Sequence, residues 1–223
     1  MSTNKTPRVI GYSPWGHISG NITPFESVFT HKKDITQGIE GIDCLLLWGG
    51  TDIHPSYYKQ SHSRQSYAPA EPTERDRVEW KAMLYCKAHD IPIIGVCRGA
   101  QYLCAFAGGS LVQHVEKHGY DHLIATSDGR SVWTTSSHHQ MMNPYSVPHD
   151  LLAWTFNPQN KVYHGEDDKQ IAVMESNHEP EIVFFPEVRG LAIQGHPEYG
   201  TATQPFRDLC VEYVKTYLFG ESK

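Results

Sequence analysis

Apolar positions along this chain fall into short dense runs, and the densest of them set the frame. Cys44-Leu45-Leu46-Leu47-Trp48 is the longest aliphatic run, and Ile91-Pro92-Ile93-Ile94-Gly95-Val96 is a second one rich in β-branched residues. Runs of this length without polar alternation predict strands covered on both faces, the pattern of a parallel sheet between helices. Arg8-Val9-Ile10-Gly11-Tyr12 predicts a first strand, and residues 171–174, 182–185 and 191–194 predict three later ones. The period becomes helical at three places. After the capping signature Thr73-Glu74-Arg75-Asp76, apolar residues recur at Val78, Trp80, Met83, Leu84 and Cys86. A second helix begins at Arg98 and ends near Gly108-Gly109, and a third carries Phe206, Leu209, Val211, Val214 and Leu218. The segment with Pro24 and Thr36-Gln37-Gly38 reads as loop with a short helix, residues 56–72 as irregular, and residues 147–168 as loop-rich. Strands alternating with helices predict an α/β fold, with a mostly parallel central sheet flanked by helices.

Composition narrows the class without changing that picture. A chain of 223 residues, 39% apolar and 20% charged, has an ordinary globular balance and is long enough for one sizeable core. With no repeat, low-complexity tract or shift in composition, residues 1–223 read as one domain. The net charge of −6, with no basic run, argues against nucleic acid and acidic membrane surfaces as partners. No apolar stretch reaches membrane-spanning length, and the start MSTNKTPRV has no signal-peptide core. The five cysteines, Cys44, Cys86, Cys97, Cys104 and Cys210, are odd in number and sit in core-like segments. A reduced cytoplasmic protein is the expectation.

Candidate chemistry centres on Cys97, where the strand through Val96 must stop and the helix from Arg98 begins. A nucleophile on such a turn is pushed out of the sheet, and the helix N-terminus favours its thiolate. The alternative is an inert buried cysteine. Gly49-Gly50-Thr51-Asp52 follows the second strong strand, so its free N–H groups lie at the same edge of the sheet. Beyond the last strand, Gly195-His196-Pro197-Glu198 places a histidine and a carboxylate together. Cys97, His196 and Glu198 fit a nucleophile, base and orienting group, against the plainer reading of a histidine satisfied in a turn. The stretch Trp133-Thr134-Thr135-Ser136-Ser137-His138-His139-Gln140 is dense in donors and suits either a solvated turn or a substrate wall. His114, His118 and His122 recur every four residues, as on a helical face with Glu116 nearby. Gly119 interrupts that face and no ligand set is complete, so no metal site is expected.

The motifs GVCRGAQ, LLLWGGTD, TERDRVEW, AGGSLVQH, SSHHQ and IQGHPE resemble, in kind and spacing, those of class I glutamine amidotransferase-like proteins. The similarity is greatest to the peptidase C26 branch, that of γ-glutamyl-γ-aminobutyrate hydrolase and the γ-glutamyl hydrolases, and runs from Arg8 to about Tyr199. The resemblance implies a nucleophile-elbow fold in which Cys97 attacks, His196 is the base and Glu198 its partner. Backbone N–H groups of Gly50 and Arg98 would form the oxyanion hole. Gln101, Ser136, Ser137, His138 and His139 would bind the glutamyl end of the substrate. It implies a metal-independent, cofactor-free hydrolase of γ-glutamyl amide bonds acting on a small γ-glutamyl compound or glutamine. The alternatives are a glutaminase subunit delivering ammonia to a separate synthetase, and an inactive binding module; self-association is compatible with each. One position departs from the family pattern. Gly195 stands where a large aromatic is usual, which leads to the expectation of extra space beside His196.

Overall fold

The computed structural model describes residues 7–16, 20–157, 160, 162–171 and 178–221. Its strands are β1 (Val9–Tyr12), β2 (His31–Asp34), β3 (Cys44–Leu47), β4 (Ile93–Val96), β5 (Ser110–Val112), β6 (His114–Val115) and β7 (His122–Thr126), then β8 (Ser131–Thr134), β9 (Met141–Asn143), β10 (Asp150–Thr155), β11 (Tyr163–His164), β12 (Gln170–Ile171), β13 (Pro180–Phe185) and β14 (Gly190–Ile193). The helices are α1 (Glu74–Ala88), α2 (Arg98–Phe106) and α3 (Gln204–Tyr213), the last continued by a π-helical turn over Val214–Leu218. Nine strands form one sheet in the order β2-β1-β3-β4-β14-β13-β10-β7-β8. From β2 to β14 the neighbours run parallel, and from β14 to β8 each pairing is antiparallel. The α/β architecture expected from the alternation is the one observed.

The continuous apolar runs have a direct cause. Leu45 and Leu47 point to the face covered by α1 and α2, where they meet the cluster of Met83, Cys86, Tyr102 and Leu103. Cys44 and Leu46 point to the opposite face, covered by α3 through Phe206, Leu209 and Cys210. All four residues of β3 and of β4 are buried, so neither strand has a polar side. Each such aliphatic side chain contributes about 1.5–3 kcal/mol by leaving water. Helix α1 starts as its sequence predicts, with Thr73 Oγ1 accepting from the Asp76 N–H at 3.0 Å and Asp76 Oδ2 accepting from the Thr73 N–H at 2.9 Å.

The antiparallel half carries elements absent from the sequence reading. β10 lies within residues 147–168, read as loop-rich, and β8 opens the donor-rich stretch. Outward positions of β8 are exposed, and its ladder to β7 is built from Ser131, Val132, Trp133 and Thr134, in which Val132 is a lone aliphatic residue rather than part of a run. β2 is a four-residue edge strand, His-Lys-Lys-Asp, whose polar side chains suit an unpaired sheet edge. Of the strand expected over 171–174, Ile171 belongs to β12 and the rest lie outside the described residues. The helical face of His114, His118 and His122 does not form. His114 ends up in β6, Lys117 takes a left-handed φ of 62° that a helix does not allow, and His122 opens β7. Glu116 is exposed. Among the described residues, no helix is long and apolar enough to cross a membrane.

Candidate active site

Cys97 occupies the junction between β4 and α2 with φ 52° and ψ −109°. A non-glycine residue in that region carries about 1–3 kcal/mol of strain and persists only where its surroundings over-determine it. Here the Cys97 N–H donates to the Ile193 carbonyl at 2.8 Å, and its carbonyl accepts from the Gln101 N–H at 3.0 Å. Close approach of α2 to the sheet locks the turn. A Cβ on Gly95 would lie 2.3 Å from the Gly99 carbonyl oxygen, and a Cβ on Gly99 would lie 2.2 Å from the Leu47 carbonyl oxygen. Both positions therefore require glycine, and the N-terminus of α2 is pressed against the ends of β3 and β4.

The next strand, β14, delivers His196. Its Nδ1 lies 2.7 Å from Glu198 Oε1, both side chains being buried, and the Cys97 sulfur acts electrostatically on the imidazole from the other side. Burial by itself would lower the histidine pKa. The Cys97 sulfur and the Glu198 carboxylate outweigh it and push His196 up to about 11. The ring stacks on Tyr199, with centroids 4.2 Å apart and planes 11° from parallel. The backbone of His196 is held as firmly as its ring: its N–H donates to the Thr135 carbonyl at 3.0 Å, and the Thr135 hydroxyl donates to its carbonyl at 2.5 Å. The sequence marks the Trp133–Gln140 stretch as a solvated turn or a substrate wall and gives Thr135 and Tyr199 no role in holding the histidine.

Gly50 and Arg98, the residues expected to offer N–H groups, follow the ends of the neighbouring strands β3 and β4. Gly50 has φ 147°, and Arg98 is the first residue of α2. The Arg98 side chain turns into the protein, pairing with Asp76 and Glu79 of α1 beneath Tyr102. Arg75 extends this network, with Nε 2.8 Å from Glu79 Oε1 and its other nitrogens donating to the carbonyls of Trp48 at 2.8 Å, Gly49 at 3.2 Å and Trp15 at 3.0 Å. Burial would raise the Glu79 carboxyl, but Arg98 and Arg75 hold it below the usual range. The loop carrying Gly50 is thus fixed by buried charges on α1. A cavity of about 260 Å³ opens beside it, lined by Trp15, Thr51, Asp52, Arg75 and Arg98 among others.

The remaining expected residues divide. Gln101 is buried and its amide donates to the Gln140 carbonyl at 3.0 Å, so it braces the 136–139 segment. Ser136 spends its hydroxyl on the His118 carbonyl at 2.5 Å. Ser137 is exposed, with its hydroxyl 3.3 Å from that of Tyr199 and so beside the His196 ring. His139 pairs with Asp52 at 3.1 Å, which joins it to the cavity wall. His138 turns inward toward Glu181 and away from solvent. The space expected beside Gly195 is absent. A Cβ there would lie 2.0 Å from Thr134 Oγ1 and 3.0 Å from Phe206 Cζ. Glycine at this position admits the Thr134-Thr135 segment, and Phe206 from α3 fills the adjoining volume.

The peptidase C26 family profile matches residues 23–198 of this chain. A glutamine amidotransferase-like protein of Lactococcus lactis is 26% identical over 217 residues, covering 86% of each chain. A glutamine amidotransferase-like protein of Rickettsia prowazekii is 38% identical over 82 residues, and a Schizosaccharomyces pombe protein carrying a glutamine amidotransferase name is 35% identical over 79. The chain spans only 28% and 31% of the length of those two relatives. Among solved structures, a GMP synthase subunit from Thermoplasma acidophilum superposes with a TM-score of 0.59 at 16% identity, covering 96% of this chain and 94% of that one. A glutamine amidotransferase from Thermotoga maritima superposes with a TM-score of 0.53 at 15% identity over 85% and 75% of the two chains. At such identities these likenesses speak to the fold. With the family profile covering most of its length, this chain belongs to the peptidase C26 family of class I glutamine amidotransferase-like proteins.

Proposed function

We propose that the chain is a cysteine-dependent hydrolase of γ-glutamyl amide bonds, acting through a thioester on Cys97. The observation that carries this reading is the joint placement of Cys97 at the start of α2 and of His196 between the Cys97 sulfur and Glu198. The positive end of the helix and a protonated imidazole both favour the thiolate, the reactive form. Thiolate attack on the amide carbonyl forms the C–S bond and puts negative charge on the oxygen. The N–H groups of Gly50 and Arg98 would receive that charge, each such donor being worth about 10²–10³ in kcat. Imidazolium at His196 gives its proton to the departing amine nitrogen as the C–N bond breaks. The neutral imidazole then takes a proton from water, whose oxygen displaces the sulfur and restores the thiolate–imidazolium pair. Glu198 fixes the imidazole orientation and stabilises its charged form. No step requires a metal or an organic cofactor.

The test is amine release by the isolated protein from a panel containing glutamine and γ-glutamyl amides of larger amines. Turnover of the larger amides, abolished by Cys97→Ala, supports the hydrolase. The names of the relatives favour one other reading, a glutaminase subunit that hands ammonia to a synthetase. Turnover confined to glutamine, and rising only when a second protein is added, would establish that reading in its place.

A further inference from the structure

His118, His138 and Glu181 meet in the interior on the far side of the wall that carries the candidate site. Glu181 projects from β13, whose carbonyl at this residue accepts the Gln194 N–H at 2.7 Å, two residues before His196. His118 comes from the loop between β6 and β7, and His138 from the segment after β8. His118 Nδ1 lies 3.4 Å and His138 Nε2 lies 3.8 Å from Glu181 Oε1, and one donor atom from each of the three falls within 4.8 Å of the others. All three side chains are at most 2% exposed. His118 Nδ1, His138 Nε2 and Glu181 Oε2 are nonetheless buried atoms without a hydrogen bond. Buried polar atoms in such a position are rarely left so unless something else engages them.

The opposite ring nitrogens are occupied. His118 Nε2 sits 3.1 Å from Glu179 Oε2, and His138 Nδ1 donates to the Gln140 carbonyl at 2.8 Å. A carboxylate behind one imidazole and a backbone carbonyl behind the other hold both rings, so that His118 Nδ1 and His138 Nε2 face Glu181. That is the arrangement by which proteins orient histidine ligands. Glu181 Oε1 already faces His122 Nε2 at 2.9 Å and accepts from Thr155 Oγ1 at 3.2 Å, which leaves Oε2 as its open donor. Tetrahedral zinc with bonds of about 2.0–2.1 Å needs donors about 3.3 Å apart, which small side-chain adjustments reach from donors lying within 4.8 Å of one another. We propose that His118, His138 and Glu181 bind a divalent transition-metal ion of the zinc class. Two imidazole nitrogens and a carboxylate suit such an ion, with room for a fourth donor such as water. The sequence left these histidines without a ligand set because the carboxylate comes from β13. The ion would tie three otherwise separate segments together behind the Thr135–His139 wall, as a structural element outside the thiol chemistry.

The test uses Cys97→Ser protein, which lacks the thiol that could capture metal at the candidate active site, so its result does not depend on the hydrolase reading. After removal of metal with a chelator, the protein is titrated with Co²⁺ and, separately, Zn²⁺. One equivalent of Co²⁺ giving visible ligand-field bands without a sulfur charge-transfer band, together with a Zn²⁺-dependent rise in Tm, is the expected result. His138→Ala should abolish both signals, and Glu179→Gln should weaken Zn²⁺ binding about 10–100-fold, since it removes only the support behind His118. Circular dichroism checks that each variant is folded. Absence of the Co²⁺ bands in the unmutated cluster, or bands that persist in folded His138→Ala protein, would overturn the site and leave a metal-free histidine–carboxylate network.

Discussion

Thr135 and His196 are joined twice, each donating one hydrogen bond to the other's carbonyl, at 3.0 and 2.5 Å. The pair ties the end of β14 to the segment after β8, and so fixes the backbone from which the imidazole projects. Thr135→Val keeps the volume but removes the hydroxyl. It leaves the buried His196 carbonyl without that donor, at a cost of about 1–3 kcal/mol. A small displacement of a reacting group can cost about a hundredfold in rate. The expected outcome is a fall in kcat of about 10- to 100-fold with KM little changed, in a protein that still unfolds cooperatively. Unchanged kcat would show that Glu198 and Tyr199 position the ring without help from Thr135.

Covalent labelling should discriminate among the five cysteines. Burial pushes the Cys86 and Cys104 thiols up to about 12, and drives those of Cys44 and Cys210 well above their ordinary value. All four are fully buried, whereas Cys97 retains 8% exposure at the mouth of the turn. A glutamine-like chloroketone is expected to modify Cys97 alone, as read by peptide mass spectrometry. Modification distributed over several cysteines, or missing from Cys97, removes the basis for the thioester mechanism.

The protonation of His196 provides a separate check. Its folded pKa of about 11 lies above the ordinary 6.5, so the stability linked to this proton is complete below pH 6.5 and is lost as pH rises toward 11. Cys97→Ala removes the first of the groups that raise it and leaves burial opposed by Glu198. The His196 pKa should then fall, and the alkaline loss of stability should begin at lower pH. Histidine titration by NMR in both proteins measures this directly. An identical His196 titration in the two would mean that the sulfur does not pair with the ring.

Much of this arrangement is written in local chemistry. Cys97 announces itself because an apolar strand and a helix must exchange at one residue, and Gly95 and Gly99 flank it for a steric reason that the short distances confirm. Thr73 and Asp76 specify the start of α1 by reciprocal capping. The antiparallel half is less legible because β7, β8 and β10 pair through backbone while their side chains are mixed in polarity. The histidines mislead for a similar reason. A four-residue spacing is helical only if the intervening backbone is, and Lys117 breaks it; the partners of His118 and His122 come from β13 and the residue before it, far along the chain. Gly195 shows the limit of reading space from residue size. An absent side chain leaves a cavity only where no neighbour moves in, and here Thr134 and Phe206 do.

Gly195→Ala should therefore behave as an overpacking mutation. The added methyl has to displace Thr134 Oγ1 or the Thr135 carbonyl oxygen, 2.0 and 2.9 Å from its position. Strain of this kind typically costs about 1–3 kcal/mol, and it falls on the segment that clamps His196. A lower Tm and a lower kcat are expected together, for glutamine and for larger amides alike. A loss confined to bulky substrates would instead mean that the position faces the leaving group.

The buried charges under Gly50 lead to the last prediction. Arg98 neutralises Asp76 and Glu79, whereas Arg75 shares Glu79 and holds the carbonyls of Trp48 and Gly49. Arg98→Met leaves two buried carboxylates with only Arg75 to face them, and breaking such a group costs about 3–5 kcal/mol. Stability should suffer first in that variant. Arg75→Met leaves both Arg98 pairs in place but releases the backbone just before Gly50. If the Gly50 N–H is one of the two donors to the oxyanion, loosening this loop degrades a contact made only as charge develops on the substrate. The loss should then appear in kcat, about 10- to 100-fold, with a smaller effect on KM and on Tm than Arg98→Met produces. Full activity in folded Arg75→Met protein would show that the Trp48–Gly49 carbonyl clamp is not needed to place that donor. Equal damage to Tm in both variants would mean that the network serves the fold alone.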